Sequence, residues 1–288
     1  MRINVRPNTV GGAISISTPE RQFCDAARDY LLSFRSEGVT SEVLDYYLYL
    51  SEQPRKLTIN QVYEQLLWSA QNANMKASVV SGSMPGGVTA LSGVLQGFDP
   101  RAVCLRYGDD WQTLLTTIVE TIAPRGRVRR GPNSIWPRYC RSALSGAAFL
   151  SRFEEASDFY AWADEFDRDD GRRIELPSQI RREVFGLGFA LSCDFLKELG
   201  YSSFGKPDVH IRKILGDLGL MHERATDPEA LAVLWSFSSA AGYSPYYVDK
   251  LMWLLSTGKL YRHSDIDTVR TDRDGFVRSQ QQLFASSA

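Results

Sequence analysis

The chain has 288 residues, of which 43% are hydrophobic, 11% aromatic and 23% charged, with a formal net charge of −1. Those proportions describe a soluble globular protein and exclude a disordered polymer or a bundle of membrane spans. The near-neutral balance also argues against a protein that coats nucleic acid indiscriminately. A chain of this length buries about three quarters of its unfolded surface, so no disulfide or metal is needed to hold a core. Cys24, Cys104, Cys140 and Cys193 form no CxxC pair, which makes a reducing cytoplasm the expected compartment. The opening MRINVRPNTVGGAISIST lacks a continuous apolar run, and nowhere do eighteen apolar residues follow one another; secretion and membrane spanning are both disfavoured.

In chain order the pattern is helix after helix. Thr18, Pro19 and Glu20 read as an N-cap and first turn, and Ser36 to Gly38 closes that helix. A second runs through VLDYYLYL, and Thr58 opens a third carrying QVYEQLLWSAQNANMKA, residues 61–77. Trp111, Leu114, Leu115, Ile118, Val119 and Ile122 recur at helical spacing and mark a core-facing stripe. Thr226 with Glu229 forms a capping box, and Ser244 with Pro245 starts the last strong helix. Only residues 4–17 alternate as a strand does. The expected fold class is all-α.

Charge is distributed unevenly along this frame. Residues 125–141 hold Arg125, Arg127, Arg129, Arg130, Arg138 and Arg141 with no acid, whereas residues 154–170 hold eight acids against Arg168 alone. The remaining residues sum to zero. One basic surface can therefore meet phosphates while an acidic one stays away; an arginine-rich solvated loop beside an acidic helix face is the plainer alternative.

Several familiar motifs fail. Gly126 to Gly131 has phosphate-loop spacing, but Pro132 and Asn133 stand where a lysine and a hydroxyl residue are required. Gly186 and Gly188 do not open a dinucleotide fingerprint, because Leu191 replaces the third glycine and a helix precedes them. The histidines at 210, 222 and 263 make no close ligand pair, and no GxSxG elbow occurs. No metal site is expected.

Residues 177–215 carry the most information. An apolar helix with Ile180, Val184 and Phe185 meets Gly186-Leu187-Gly188, and a second, with Leu191, Phe195, Leu196 and Leu199, follows and ends at Gly200. Such a hairpin places backbone N–H groups at the start of a helix, where they can hold a phosphate without reading a base. Asp208 follows in GKPDVHIRKIL. An aspartate there also suits the N-cap of the next helix, and the two roles are compatible.

The Gly-x-Gly hairpin followed by PDVHI resembles the helix-hairpin-helix DNA glycosylase superfamily, and LLWSAQNANMKA (66–77) resembles the LLSAQATD-type segment of endonuclease III relatives. The layout around DFLKELGY is similar to the archaeal 8-oxoguanine glycosylase branch. The resemblance implies two helical subdomains flanking a DNA-binding cleft, one from residues 1–58 plus 205–288 and one from 59–204 that ends in the helix-hairpin-helix at 177–200. It implies that Asp208 is the catalytic acid and that Gly186, Leu187, Gly188, Gln71 and Asn72 contact DNA. Lys206 and Arg212 beside Asp208, and Arg129 and Arg130 of the arginine run, carry positive charge that could grip phosphates, with a solvated face as the plainer reading. Gln71 matches the helix-borne wedge that fills the gap left by an extruded base. Trp68, Trp111 and the flexible stretch 81–93 are the candidates for the base pocket, and Trp136 and Tyr139 could offer a stacking surface.

Where bifunctional relatives carry a lysine this chain has Ala190, which implies a monofunctional enzyme that cleaves the base–sugar bond with water. No cysteine follows Cys193, so no iron–sulfur cluster is implied, and a monovalent cation at the hairpin is the one ion to consider. The expected partner is double-stranded DNA, bound by a cytoplasmic, nucleoid-associated monomer. The base could be oxidised, in repair, or a bulky hypermodified phage base, in anti-phage defence. The alternative from another class is a non-catalytic helix-hairpin-helix DNA-binding module.

Overall fold

A computed structural model describes residues 17–49, 55–73, 79–263 and 265–285. The alternating stretch near the start lies, but for its last residue, outside them. The first helix, α1 (Pro19–Leu32), begins where the Thr18 hydroxyl accepts the Arg21 amide, with proline in the first turn. Thr40 caps α2 (Ser41–Leu48) in the same way. A reciprocal capping box between Thr58 and Gln61 opens α3 (Ile59–Ala70). This helix stops seven residues short of the string read from the sequence. Its last carbonyls turn inward, Ser69 and Ala70 accepting from Asn72 and Ala73.

Asp99 and Asp110 cap α4 (Pro100–Tyr107) and α5 (Trp111–Ile122). Of the stripe read on α5, Leu114, Leu115 and Ile118 are buried, while Trp111, Val119 and Ile122 pack at the rim of the core. There follow α6 (Ile135–Leu150), α7 (Ala156–Asp167), α8 (Glu175–Glu183), α9 (Phe189–Glu198), α10 (Val209–Asp217), α11 (Asp227–Ala241), α12 (Pro245–Thr257), α13 (Arg273–Gln280) and α14 (Gln282–Ala285). The capping box at Thr226 and the Ser244 cap form as their residues predict. The described residues contain no strand: the fold is all-α.

Two sets of helices meet at the middle of the chain. In one, α6 lies against α3, α4 and α5, and α3 also packs on α9, which lies along α8. Gly146 lets α6 approach α3 closely, since a methyl group there would come within 2.7 Å of Leu66. In the other set α1 crosses α11 and α12, while α2 and α10 rest on α12. Each fully buried leucine or phenylalanine contributes about 1.5–3 kcal/mol, and Leu66, Phe159, Phe195 and Leu255 are of that kind. No helix among the described residues is long and apolar enough to cross a membrane.

The joint between the sets is the segment from Gly200 to Pro207. Two of its carbonyls are pinned by the second set: Ser202 accepts the Tyr246 amide and Ser203 the Trp235 indole N–H. Gly205 sits where a Cβ would strike Leu234, Asp249 and the Pro245 carbonyl. The chain therefore delivers Asp208 to a fixed place.

Candidate active site

Asp208 is the N-cap of α10. Its Oδ1 accepts the amides of His210 at 2.9 Å and Ile211 at 3.4 Å. Its Oδ2 faces the Lys206 ammonium at 4.0 Å, and the side chain is 19% exposed. One oxygen is thus bound by the helix end, and the other has only the Lys206 ammonium near it among the described contacts. Val209, the next residue, is exposed.

Behind Asp208 lies a set of buried charges that sequence patterns did not disclose. Lys206 Nζ is also 4.0 Å from Asp194 Oδ1. Asp194 pairs with Lys197 at 3.3 Å, and Lys197 bonds Asp249 at 2.5 Å. Asp249 in turn accepts the Lys206 amide at 3.0 Å, so the backbone just before Asp208 is held by a buried carboxylate. Lys250 and Arg262 close the set on Glu198. Burial alone would push the Asp194 carboxyl up, but Lys206, Lys197 and Lys250, with Ser69 beside it, more than offset this and hold it at about 2. Asp249 moves upward because burial outweighs Lys197, with Asp208 nearby adding to the rise. Only the i, i+3 spacing of Asp194 and Lys197 was visible beforehand; Asp249 gave no signal.

The hairpin takes the expected form. Gly186 has φ +76°, and a Cβ there would lie 2.9 Å from the Ser142 hydroxyl of α6. The Phe185 amide donates to Ser145, and the Arg141 guanidinium covers the Phe185 ring at 3.7 Å. Gly188 is the N-cap of α9 and has no side chain to answer the first-turn amides of Phe189, Ala190 and Leu191. Leu187 is buried and its amide donates to Val184, so its side chain has no access to DNA. The Val184 carbonyl receives that amide, and the Gly188 carbonyl receives both the amide and the hydroxyl of Ser192.

Other expected site residues lie elsewhere or are differently employed. Gln71 does not project: it is 4% exposed, with its Oε1 buried and unpartnered. The Ser69 hydroxyl, beside Asp194, likewise lacks an aligned hydrogen bond within the protein. Asn72 is half-buried and reaches back to the Trp68 carbonyl at 3.5 Å. Arg212 is not a free phosphate grip. Its guanidinium donates to the carbonyls of Pro207 and Ala225 and to Asp227, bracing the turn that carries Asp208. Arg130 donates to Thr116, whereas Arg129 is exposed. Trp136 and Tyr139 are core residues packed edge to face, not a stacking surface. Trp68 lies against Gly87, and Trp111 opens α5.

The larger cavity, about 910 Å³, is lined by residues of 79–83 and 125–136, and neither Trp68, Trp111 nor Asp208 lines it. From the cavity wall Trp136 meets Tyr139, whose hydroxyl bonds the Leu67 carbonyl at 3.4 Å, and Ser69, two residues further along α3, lies beside Asp194.

The hairpin, the N-capped aspartate and the helices around them make up one all-α fold. The 8-oxoguanine DNA glycosylase of Thermotoga maritima shares it, at a TM-score of 0.50 and 17% identity, over 82% of this chain and 99% of that one. No protein-family profile and no curated protein sequence matches the chain.

Proposed function

We propose that this protein is a DNA glycosylase that hydrolyses the bond between a damaged or modified base and its deoxyribose, leaving an abasic site. The observation that carries the reading is the division of labour on Asp208: one oxygen held by two helix-end amides, the other without a hydrogen bond among the described residues and 4.0 Å from the Lys206 ammonium. Breaking the bond develops positive charge on the sugar. A carboxylate about 4 Å from that charge, at an effective dielectric near 20, contributes about 4 kcal/mol, or roughly a thousandfold in rate. The same oxygen can orient the attacking water.

DNA contact is supported by the run of cations that α6 organises. The loop that carries Arg125, Arg127 and Arg129 runs into α6 at Ile135, and the hairpin packs on Ser142 and Ser145 of the same helix. At 1.5 Å per residue the start of α6 is about 10–15 Å from those serines, a spacing that one DNA backbone can span. A base in a duplex must be extruded before Asp208 can act on its sugar.

The enzyme is monofunctional in this reading, since Ala190 offers no amine on the first turn of α9. The substrate is an oxidised base or a bulky phage base, and the assay separates them. Duplexes with single lesions and glucosylated phage DNA are incubated with the protein, and released bases are identified by mass spectrometry. Release of a base that stops on Asp208→Asn supports the proposal. DNA binding with no release from any substrate leaves instead a helix-hairpin-helix binding module.

A further inference from the structure

The cavity at the start of α6 has no part in the chemistry at Asp208, yet its lining is specific. Arg125, Arg127 and Arg129 line it together with Asn133, Ser134, Ile135 and Trp136, and no carboxylate does. The three guanidiniums are solvent-exposed and form no ion pair or side-chain hydrogen bond among the described residues. No acid occurs anywhere from residue 121 to residue 153. Three like charges gathered without a counter-ion repel one another, and a bound anion relieves that repulsion. The segment that carries them is tied near both ends: the Arg125 amide donates to the Ser83 carbonyl at 2.8 Å, and the Ser134 amide to the Gly131 carbonyl at 2.8 Å.

An anion alone does not account for the rest of the site. At about 910 Å³ the space is far larger than a phosphate and lies in the range of sites that enclose whole small molecules. Ile135, Val79, Pro132 and an edge of Trp136 supply an apolar wall, and the Asn133 amide can both donate to and accept from a base edge. Cations that track phosphate beside apolar surface that receives a ring are the design of sites for unpaired nucleotides. A duplex backbone phosphate, by contrast, stays on the outside of a stacked helix and has no ring to place in a cavity.

We infer that the cavity binds one unstacked nucleoside 5′-phosphate unit, with its phosphate on Arg125, Arg127 and Arg129 and its ring against the apolar lining of Val79, Pro132 and Ile135. The unit is either a free nucleotide or one residue of a single strand. The site is separate from Asp208, and its test needs no base release, so its failure is distinguishable from failure of the glycosylase reading.

Calorimetric titration of the full chain at low salt with dTMP, thymidine, inorganic phosphate and the single strand (dT)5 tests it. Saturable binding of dTMP at least about tenfold tighter than either thymidine or phosphate is expected. The variant Arg125→Gln/Arg127→Gln/Arg129→Gln, with unfolding temperature unchanged because these side chains are exposed, should lose at least about tenfold of that affinity. Binding of dTMP identifies a free nucleotide as sufficient; saturable binding of (dT)5 alone identifies a strand residue, with the same loss in the variant. The inference is overturned if neither dTMP nor (dT)5 saturates, if phosphate or thymidine binds as tightly as dTMP, or if the folded triple variant binds as the native chain does.

Discussion

The Lys206 ammonium stands 4.0 Å from Oδ2 of Asp208 and 4.0 Å from Oδ1 of Asp194, between two carboxylates and at hydrogen-bond distance from neither. A cation so placed screens the two acids from one another and is free to lean toward a phosphate or a sugar without breaking a bond. It also joins the outward-facing acid to the buried set of Asp194, Lys197 and Asp249. The geometry of Asp208 is therefore a property of three elements at once: α9, α12 and the segment from Gly200 to Pro207 that leads into α10.

Asp208→Asn separates chemistry from folding. Asparagine caps a helix about as well as aspartate, so the amides of His210 and Ile211 keep an acceptor and the unfolding temperature should move by no more than about 2 °C. The negative charge is gone. Base release should fall by about a thousandfold, while duplex affinity measured by fluorescence anisotropy stays within about twofold or rises slightly. Equal loss of binding and release would point to a structural role instead.

Borohydride reduction of the protein mixed with DNA carrying a preformed abasic site should trap no covalent adduct. Ala190 occupies the first turn of α9 and has no amine. Lys197, one face further along, is buried and committed to Asp194 and Asp249. A trapped band on a denaturing gel would contradict hydrolysis by water and direct attention to Lys206, whose replacement by arginine should then abolish it.

Gly186 tests the hairpin. A left-handed backbone with φ +76° and a Ser142 hydroxyl 2.9 Å from the missing Cβ leave no room for a methyl group. Gly186→Ala should destabilise the fold by about 1–2 kcal/mol, seen as a fall of a few degrees in unfolding temperature. It should also weaken duplex binding, because the amides at the start of α9 shift with the turn. Gly188→Ala meets nothing within 4 Å of its Cβ and serves as the control for stability.

What the sequence made legible was local. The Gly-x-Gly turn, Asp208 and the caps at Thr18, Thr58, Thr226 and Ser244 are each decided within a few residues by backbone donors that need an acceptor. What it hid was long-range. Lys197 and Asp249 are 52 residues apart in the chain and in contact in the fold; Arg212 reads as a free cation until Asp227 and two carbonyls take it. Gln71 reads as a projecting wedge because the helical string runs on to residue 77; with the helix ending at Ala70 it is buried. The arginine-lined cavity joins segments some 40 residues apart, which no spacing rule brings together.

The buried charges give a stability prediction with a definite sign in pH. Lys197→Met leaves Asp249 and Asp194 without their shared cation, and breaking a buried pair from one side costs about 3–5 kcal/mol, a fall of roughly 10 °C in unfolding temperature. Lys197→Met/Asp249→Leu should recover part of it, because the stranded acid is removed as well. In the native chain Asp194 titrates at about 2 instead of its ordinary 3.8, its lysine neighbours outweighing burial. A carboxyl depressed in the folded state adds stability above its unfolded value, and that contribution is lost as pH falls through the folded one. The window is therefore pH 4 to 2. Asp249, raised by burial, works against it, since its protonated form suits the fold better and its contribution is lost as pH rises through its folded value. Unfolding temperature should drop between pH 4 and 2, and Asp194→Asn should flatten that drop while lowering stability at neutral pH. An unchanged slope in Asp194→Asn would assign the acid sensitivity to other carboxylates and remove Asp194 from the set that holds Asp208 in place.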